Sequence, residues 1–174
     1  MNPLRSFAEH VEWLEELRTV EEEWWLNPIA NGKWSLGEIV SHFLSWDLFV
    51  IHHRVPYFLE HQAFTEDVAE AEKMNQDASR YAKSGVSKSQ LLEEAIRTRN
   101  RLIQQVEIIP EDWWIHPFKY KTKTMMFAAY IEGLVQHDKH HQDLIILFLK
   151  SQPIMPNRCS LSRMVAQKNE FPRK

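Results

Sequence analysis

Apolar positions in this chain recur with a helical period over four long stretches, and three of those stretches open with the same local signal. A Ser side chain caps the third amide of a helix while a Glu or Gln at that third position reaches back to the cap. The pattern occurs at Ser6 with Glu9, Ser35 with Glu38, and Ser87 with Gln90. Trp34 with Ile39, and Val86 with Leu91, add hydrophobic staples that fix how the chain enters the second and third helices.

The first helix is predicted from about Ser6 to Leu26, with Phe7, Val11, Leu14, Leu17 and Trp24 on one face, an acidic opposite face, and Pro28 soon after. The second starts after Ser35, carries Ile39, His42, Phe43, Trp46, Phe49, Val50 and His53 on one stripe, and kinks or ends near Pro56. The third runs from about Ser87 to Val106, with Leu92, Ala95, Ile96, Arg99, Leu102, Ile103 and Val106 inward. The fourth runs from near Thr124 to about Lys150. Its stripe is Met126, Tyr130, Gly133, Leu134, His137, His141, Leu144, Ile145 and Phe148, which leaves Asp138, Lys139 and Asp143 on the polar side. Residues 111–123, EDWWIHPFKYKTK, have room for a hairpin-like turn, and no strong strand is expected.

Between the second and third helices lies a long connection, about His61 to Val86, with a helical piece possible between Val68 and Tyr81. A crossover of that length permits an up-down-down-up order, in which helices two and four are antiparallel. The expected fold is therefore all-α: one four-helix-bundle domain over residues 1–150, followed by a basic tail at 151–174.

Composition narrows the function classes. A net charge of −3 lacks the basic face of a nucleic-acid binder. The single cysteine, Cys159, excludes an intramolecular disulfide framework. There is no basic leader with an apolar run and no apolar stretch of ~18 residues, so a cytoplasmic protein with no membrane partner is expected. The adjacent pairs Trp24/Trp25 and Trp113/Trp114 read as packing residues, with one ring of each pair directed elsewhere.

The run LVQHDKHHQDLI, residues 134–145, holds three of the nine histidines. His137 and His141 lie one turn apart on the inward stripe, whereas His140 is turned away by ~100°. His42 sits ~10 Å from the start of its helix and His141 ~13 Å from the end of its own, so antiparallel helices bring the two to one level. His42, His137 and His141 then form a facial set of three imidazoles, the open pattern that leaves positions for water or substrate on a divalent metal. Adjacent His52 and His53 do not converge in this way. The competing reading is three hydrogen-bonded core histidines in a noncatalytic helical binding module.

The segments WSLGEIVSHFLSWD, SKSQLLEEAIRTRNRLI and IEGLVQHDKHHQDLIILFL together resemble the DinB/YfiT-like metalloenzymes over most of residues 5–150. The resemblance implies a four-helix bundle of unusual connectivity, a homodimer, and zinc or nickel bound by His42, His137 and His141. Some members of that family join low-molecular-weight thiols such as bacillithiol to electrophiles, and others are regarded as hydrolases. It follows that the substrate would be a small molecule. A thiol cofactor carrying carboxylates would need a nearby cation, for which Arg99 on the third helix is the candidate substrate-binding residue. A hydrolase would need a general base, with Asp47 or Glu38 as candidates.

Overall fold

The computed structural model describes residues 3–60, 71–120 and 123–152. The basic tail from residue 153, Cys159 within it, and the first half of the long connection lie outside these residues. The order of elements is α1 (Pro3–Glu16), a 3-10 turn (Leu17–Thr19), α2 (Glu22–Trp25), α3 (Leu36–His53), α4 (Val55–Glu60), α5 (Ala71–Ala82), α6 (Lys88–Glu107), α7 (Glu111–Trp114), β1 (Pro117–Tyr120), β2 (Lys123–Met126) and α8 (Phe127–Ser151). The protein is mostly helical, as expected. Among the described residues no helix is long and apolar enough to cross a membrane.

Of the three expected caps, two hold their places. Ser35 and Glu38 form the reciprocal box at the start of α3. Ser87 caps α6 by accepting from the Gln90 amide, but the Gln90 side chain donates to Glu94 instead of reaching back. Ser6, by contrast, lies inside α1, which begins at Pro3. The single helix expected over 6–26 is also divided. After the 3-10 turn Val20 is extended (φ −70°, ψ 138°), and Thr19 Oγ1 donates to the Glu16 carbonyl at 2.8 Å, closing off the end of α1.

The helical piece in the crossover is α5, and 117–126 forms a two-stranded antiparallel hairpin with Phe118 opposite Met125. Thr124 therefore belongs to β2, and the last helix begins three residues later than expected. Each Trp pair divides its rings: Trp25 is buried while Trp24 packs edge-on against Phe148. Trp113 meets Tyr57 and Phe58, whereas Trp114 meets Phe127. Trp25 also comes close to α3 at Gly37, where a Cβ would stand 2.9 Å from its Nε1.

Buried apolar side chains fall into two clusters. One contains Trp13 to Val20, Leu36 to Leu44, Leu91 to Ile96, Ile145 and Leu149. The other contains Phe7, Val50 to Phe58, Leu102 to Ile109, Phe118 and Phe127 to Val135. Helices α1 and α8 start in the second cluster and end in the first, while α3 and α6 do the reverse. Between the clusters, each of these helices contributes buried polar side chains: His10, then His42 and Asp47, then Thr98 and Arg99, then Asp138.

Helix α5 is fastened to the start of α3 through Glu38. Ser35 donates its backbone N–H and its hydroxyl to Oε2, both at 3.0 Å. Ser79 of α5 and Lys83, just past its end, donate to Oε1 at 2.6 and 2.7 Å. Burial alone would raise this carboxyl, but the bonds from Lys83, Ser79 and Ser35 outweigh it and hold it below its ordinary value. Its contribution to stability is thus complete above the unfolded value of about 4.3 and is lost as pH falls through the lower folded value. Glu38→Ala is expected to lower unfolding free energy by about 1–3 kcal/mol, measured by urea titration at pH 7. Glu38→Gln should flatten the decline in stability below about pH 4.3; an unchanged acid slope would contradict this role.

Candidate metal centre

His42, in the middle of a first half of α3 that is buried on every side, is itself buried. His137 and His141 stand one turn apart on α8, half-buried. One ring nitrogen from each of the three lies within 4.8 Å of the others, so together they could hold a metal ion. Ring contacts pass from Trp34 with His141, through His42 with both His141 and His137, to Trp46 with His137. Positions climb along α3 as they descend along α8. His140 is exposed, with its ring 5.4 Å from that of His141, and His52 and His53 are exposed on the far half of α3.

The donor chemistry fits a cation. His42 Nδ1 donates to Asn75 Oδ1 of α5 at 2.9 Å, which leaves Nε2 as the lone-pair nitrogen. That Nε2 faces His137 Nε2 at 3.0 Å, while the other nitrogen of His137, Nδ1, lies 3.6 Å from Asp138 Oδ1. Two lone pairs at that distance repel unless a proton or a cation joins them. Two nitrogens bound to one metal at ~2.0–2.1 Å, and 90–109° apart, would stand about 2.9–3.4 Å from each other. The Nδ1 of His141 is buried and has no hydrogen-bond partner among the described residues. Burial, then the neighbouring His137 and His141, pushes His42 down to about 3. Burial, then His137 and His140, pushes His141 down to about 4. Both rings are therefore neutral at pH 7, the form a metal requires.

Behind His137 lies a buried charge cluster. Arg99 on α6, 2% exposed, donates Nε to Asp47 Oδ2 at 2.7 Å and Nη1 to Asp138 Oδ2 at 2.5 Å. Burial would lower the guanidinium's affinity for its proton, but Asp138 and Asp47 outweigh it and raise it above the ordinary range. Burial likewise pushes Asp138 up, and Arg99 with His137 and His10 more than reverses it, so this carboxyl stays well below its usual value. Asp47 differs: burial, reinforced by the charge on Asp138 and opposed by Arg99, pushes it up to about 6. Burial and then Arg99 push His10 on α1 down to about 3, and its Nδ1 lies 2.7 Å from Gln142 Nε2.

Asp138 departs from its expected position on the polar face of α8. The buried residues of that helix are Phe127, Tyr130, Ile131, Val135, Asp138, Ile145 and Leu149, which share Tyr130 and Ile145 with the predicted stripe but centre about one residue around from it. Asp138 is buried because Arg99 meets its charge, and the rotation leaves His137 and His141 at the edge of the core instead of within it. Arg99, expected as a substrate-binding cation, is here engaged by two carboxylates of the protein. It also lines a cavity of about 170 Å³ that reaches His137. Asp47 lines the same cavity, whereas Glu38 is held in the α3 cap by Ser35, Ser79 and Lys83. A larger groove of about 380 Å³ between α1 and α8, edged by Glu9, Glu12, Glu16 and Asp143, reaches none of the three histidines.

Sequence reasoning did not reach Asn75 or the role of Asp138. Asn75 and Ser79 on α5, with Lys83 just past its end, recur at four-residue spacing, a polar stripe facing α3 beside Ala78 and Ala82. That regularity was the available signal.

Arg99→Met keeps much of the side-chain volume and removes the charge, leaving Asp47 and Asp138 buried without a counterion. A destabilisation of about 3–5 kcal/mol is expected by chemical denaturation. Adding Asp47→Leu and Asp138→Leu should recover most of it, since apolar replacement of a buried ionic set is often neutral. A single variant within about 1 kcal/mol of the parent would show that the cluster does not hold the helices together.

A family model described as the DinB superfamily matches residues 7–145. No curated protein and no solved structure matches the chain. Because the family match begins at Phe7 on α1 and ends at Ile145 on α8, it takes in α3 and α6, most of α1 and α8, and every residue of the histidine set; the chain belongs to the DinB superfamily.

Proposed function

We propose that this protein is a divalent-metal-dependent enzyme in which His42, His137 and His141 hold zinc or nickel, and that it transfers a bacillithiol-like low-molecular-weight thiol to an electrophilic small molecule. The observation that carries the reading is the convergence of three imidazoles from α3 and α8 beside a cavity that opens onto His137. The reading includes a single up-down-down-up four-helix bundle over residues 1–150, supported by the order in which α1, α3, α6 and α8 visit the two apolar clusters. It also includes a cytoplasmic homodimer without nucleic-acid partners, for which the family resemblance and the acidic charge balance speak.

A divalent metal at this place would supply Lewis acidity, lowering the pKa of a thiol or a water bound to it. The residues of the chain prepare the position. Asn75 fixes the His42 ring with Nε2 inward. Asp138 Oδ1 lies 3.6 Å from Nδ1 of His137, too far for a hydrogen bond but on the side where a carboxylate favours the Nδ1–H form that leaves Nε2 for a metal. Arg99 keeps Asp138 ionised, and since its guanidinium is already met by two carboxylates, its part at the site is positioning more than capture of an anionic substrate. In the transfer, the thiol sulfur bonds to the electrophilic carbon, the leaving group departs with the bonding pair, and the thiol proton passes to solvent.

One observation favours a second reading, hydrolysis. Asp47 lines the cavity near His137, and with its carboxyl pushed up to about 6 it could accept a proton from an attacking water near neutral pH.

Untagged protein, stripped and reconstituted with zinc or nickel, is expected to retain about one ion per chain, and His137→Ala to lose it. The loaded protein should consume 4-nitrobenzyl chloride only when a low-molecular-weight thiol is present. Consumption without thiol would replace transfer by hydrolysis. Absence of bound metal, with His137→Ala behaving as the parent, would leave a noncatalytic helical module.

A further inference from the structure

The wall that shapes the cavity beside His137 is apolar. Phe7 comes from α1, Trp46 and Val50 from α3, Leu102 from α6 and Leu134 from α8. An enclosed apolar cavity of about 150 Å³ is large enough to accept a benzene ring. At about 170 Å³ this one has room for one six-membered ring and not for a fused pair.

Its polar lining sets the charge of the occupant. Among the described residues Arg99 is the one Lys or Arg in the lining, and its Nε and Nη1 are bonded to Asp47 and Asp138. An anionic group would bring a further negative charge into a space that already holds two carboxylates against one guanidinium. A cationic group would have to leave water and compete with Arg99 for carboxylates already bonded. Away from the histidine edge, either charge enters beside carboxylates and a guanidinium already bonded to one another, which a low-dielectric site penalises. An uncharged ring meets Phe7, Trp46 and the aliphatic wall without drawing Arg99, Asp47 or Asp138 from its pairing.

Resting on the metal-centred reading above, we propose that this cavity is the acceptor subsite and takes an uncharged, single six-membered aromatic ring of the electrophile, with the attacked carbon outside the ring beside His137. The fold thus divides recognition: apolar side chains from four helices select the ring, and the histidine edge of α8 faces the atom that reacts. Of the wall residues, Leu134 is only half-buried, so it is the position at which the cavity can be altered with least disturbance to the core.

The test is binding, read by ¹⁹F NMR on the full chain with and without zinc, using fluorobenzene, 4-fluorobenzoate and 4-fluorobenzylamine. Fluorobenzene should show saturable line broadening, and each charged probe should bind about tenfold or more weakly. Leu134→Trp should abolish fluorobenzene binding while circular dichroism and metal content stay as in the parent. Leu134→Ala should keep it and admit 1-fluoronaphthalene. The proposal is overturned if either charged probe binds as well as fluorobenzene. It is equally overturned if folded Leu134→Trp binds unchanged, or if Leu134→Ala gains no larger ring. Ring binding without thiol turnover would sustain this subsite and remove the transferase reading; thiol transfer in a protein that binds no ring would do the opposite.

Discussion

Everything near the histidines depends on one buried guanidinium. Arg99 stands on α6 with a carboxylate of α3 on one edge, a carboxylate of α8 on the other, and the ring of Phe7 on α1 5.0 Å from its Cζ. Each buried ion carries a desolvation penalty of several kcal/mol, which only close contact among them offsets. The arrangement therefore tolerates little slippage. Sliding α8 by one turn, ~5.4 Å, would break the Asp138 bond and separate His137 from His42 together. The apolar clusters above and below make this layer dry and so enforce the pairing. The registry of the four long helices and the geometry of the three imidazoles are consequences of the same constraint.

How much of this could be read in advance follows from which interactions are local. The caps at Ser35 and Ser87 are set by residues three apart, and both hold. His42, His137 and His141 were legible because a helix converts spacing into direction, and because an antiparallel partner supplies the level at which the third ring arrives. Ser6 misled for an equally local reason. A capping pattern inside a run of good helix formers is overridden when the helix can begin earlier, at Pro3. The break at Leu17 to Val20 had no local marker such as Pro or Gly; the short turn there packs against α6, a contact distant in sequence.

Asp138 and Asn75 were illegible for a different reason. A carboxylate counts as solvent-facing in any pattern of polar and apolar positions unless its cation is known, and Arg99 is 39 residues away in sequence. Assigning Asp138 outward turned the predicted face of α8 by about one residue and placed the histidines too deep. The true placement, at the margin of the core, gives rings that are dry enough to be neutral and open enough to be approached. Asn75 lies in the crossover, where the sequence offers no apolar period strong enough to fix a face, although its stripe with Ser79 and Lys83 is regular.

That stripe gives the crossover helix an influence beyond connecting two parts of the chain. The same α5 that closes the Glu38 cap also fixes the ring of His42, so docking of α5 and the orientation of that imidazole are one event. Coupling of this kind is reciprocal. Whatever occupies the site and favours that ring orientation must hold α5 against α3 by the same factor by which docked α5 favours the occupant. The fastening of a surface helix, ordinarily a matter of stability alone, becomes in this protein a readout of whether its histidines are engaged.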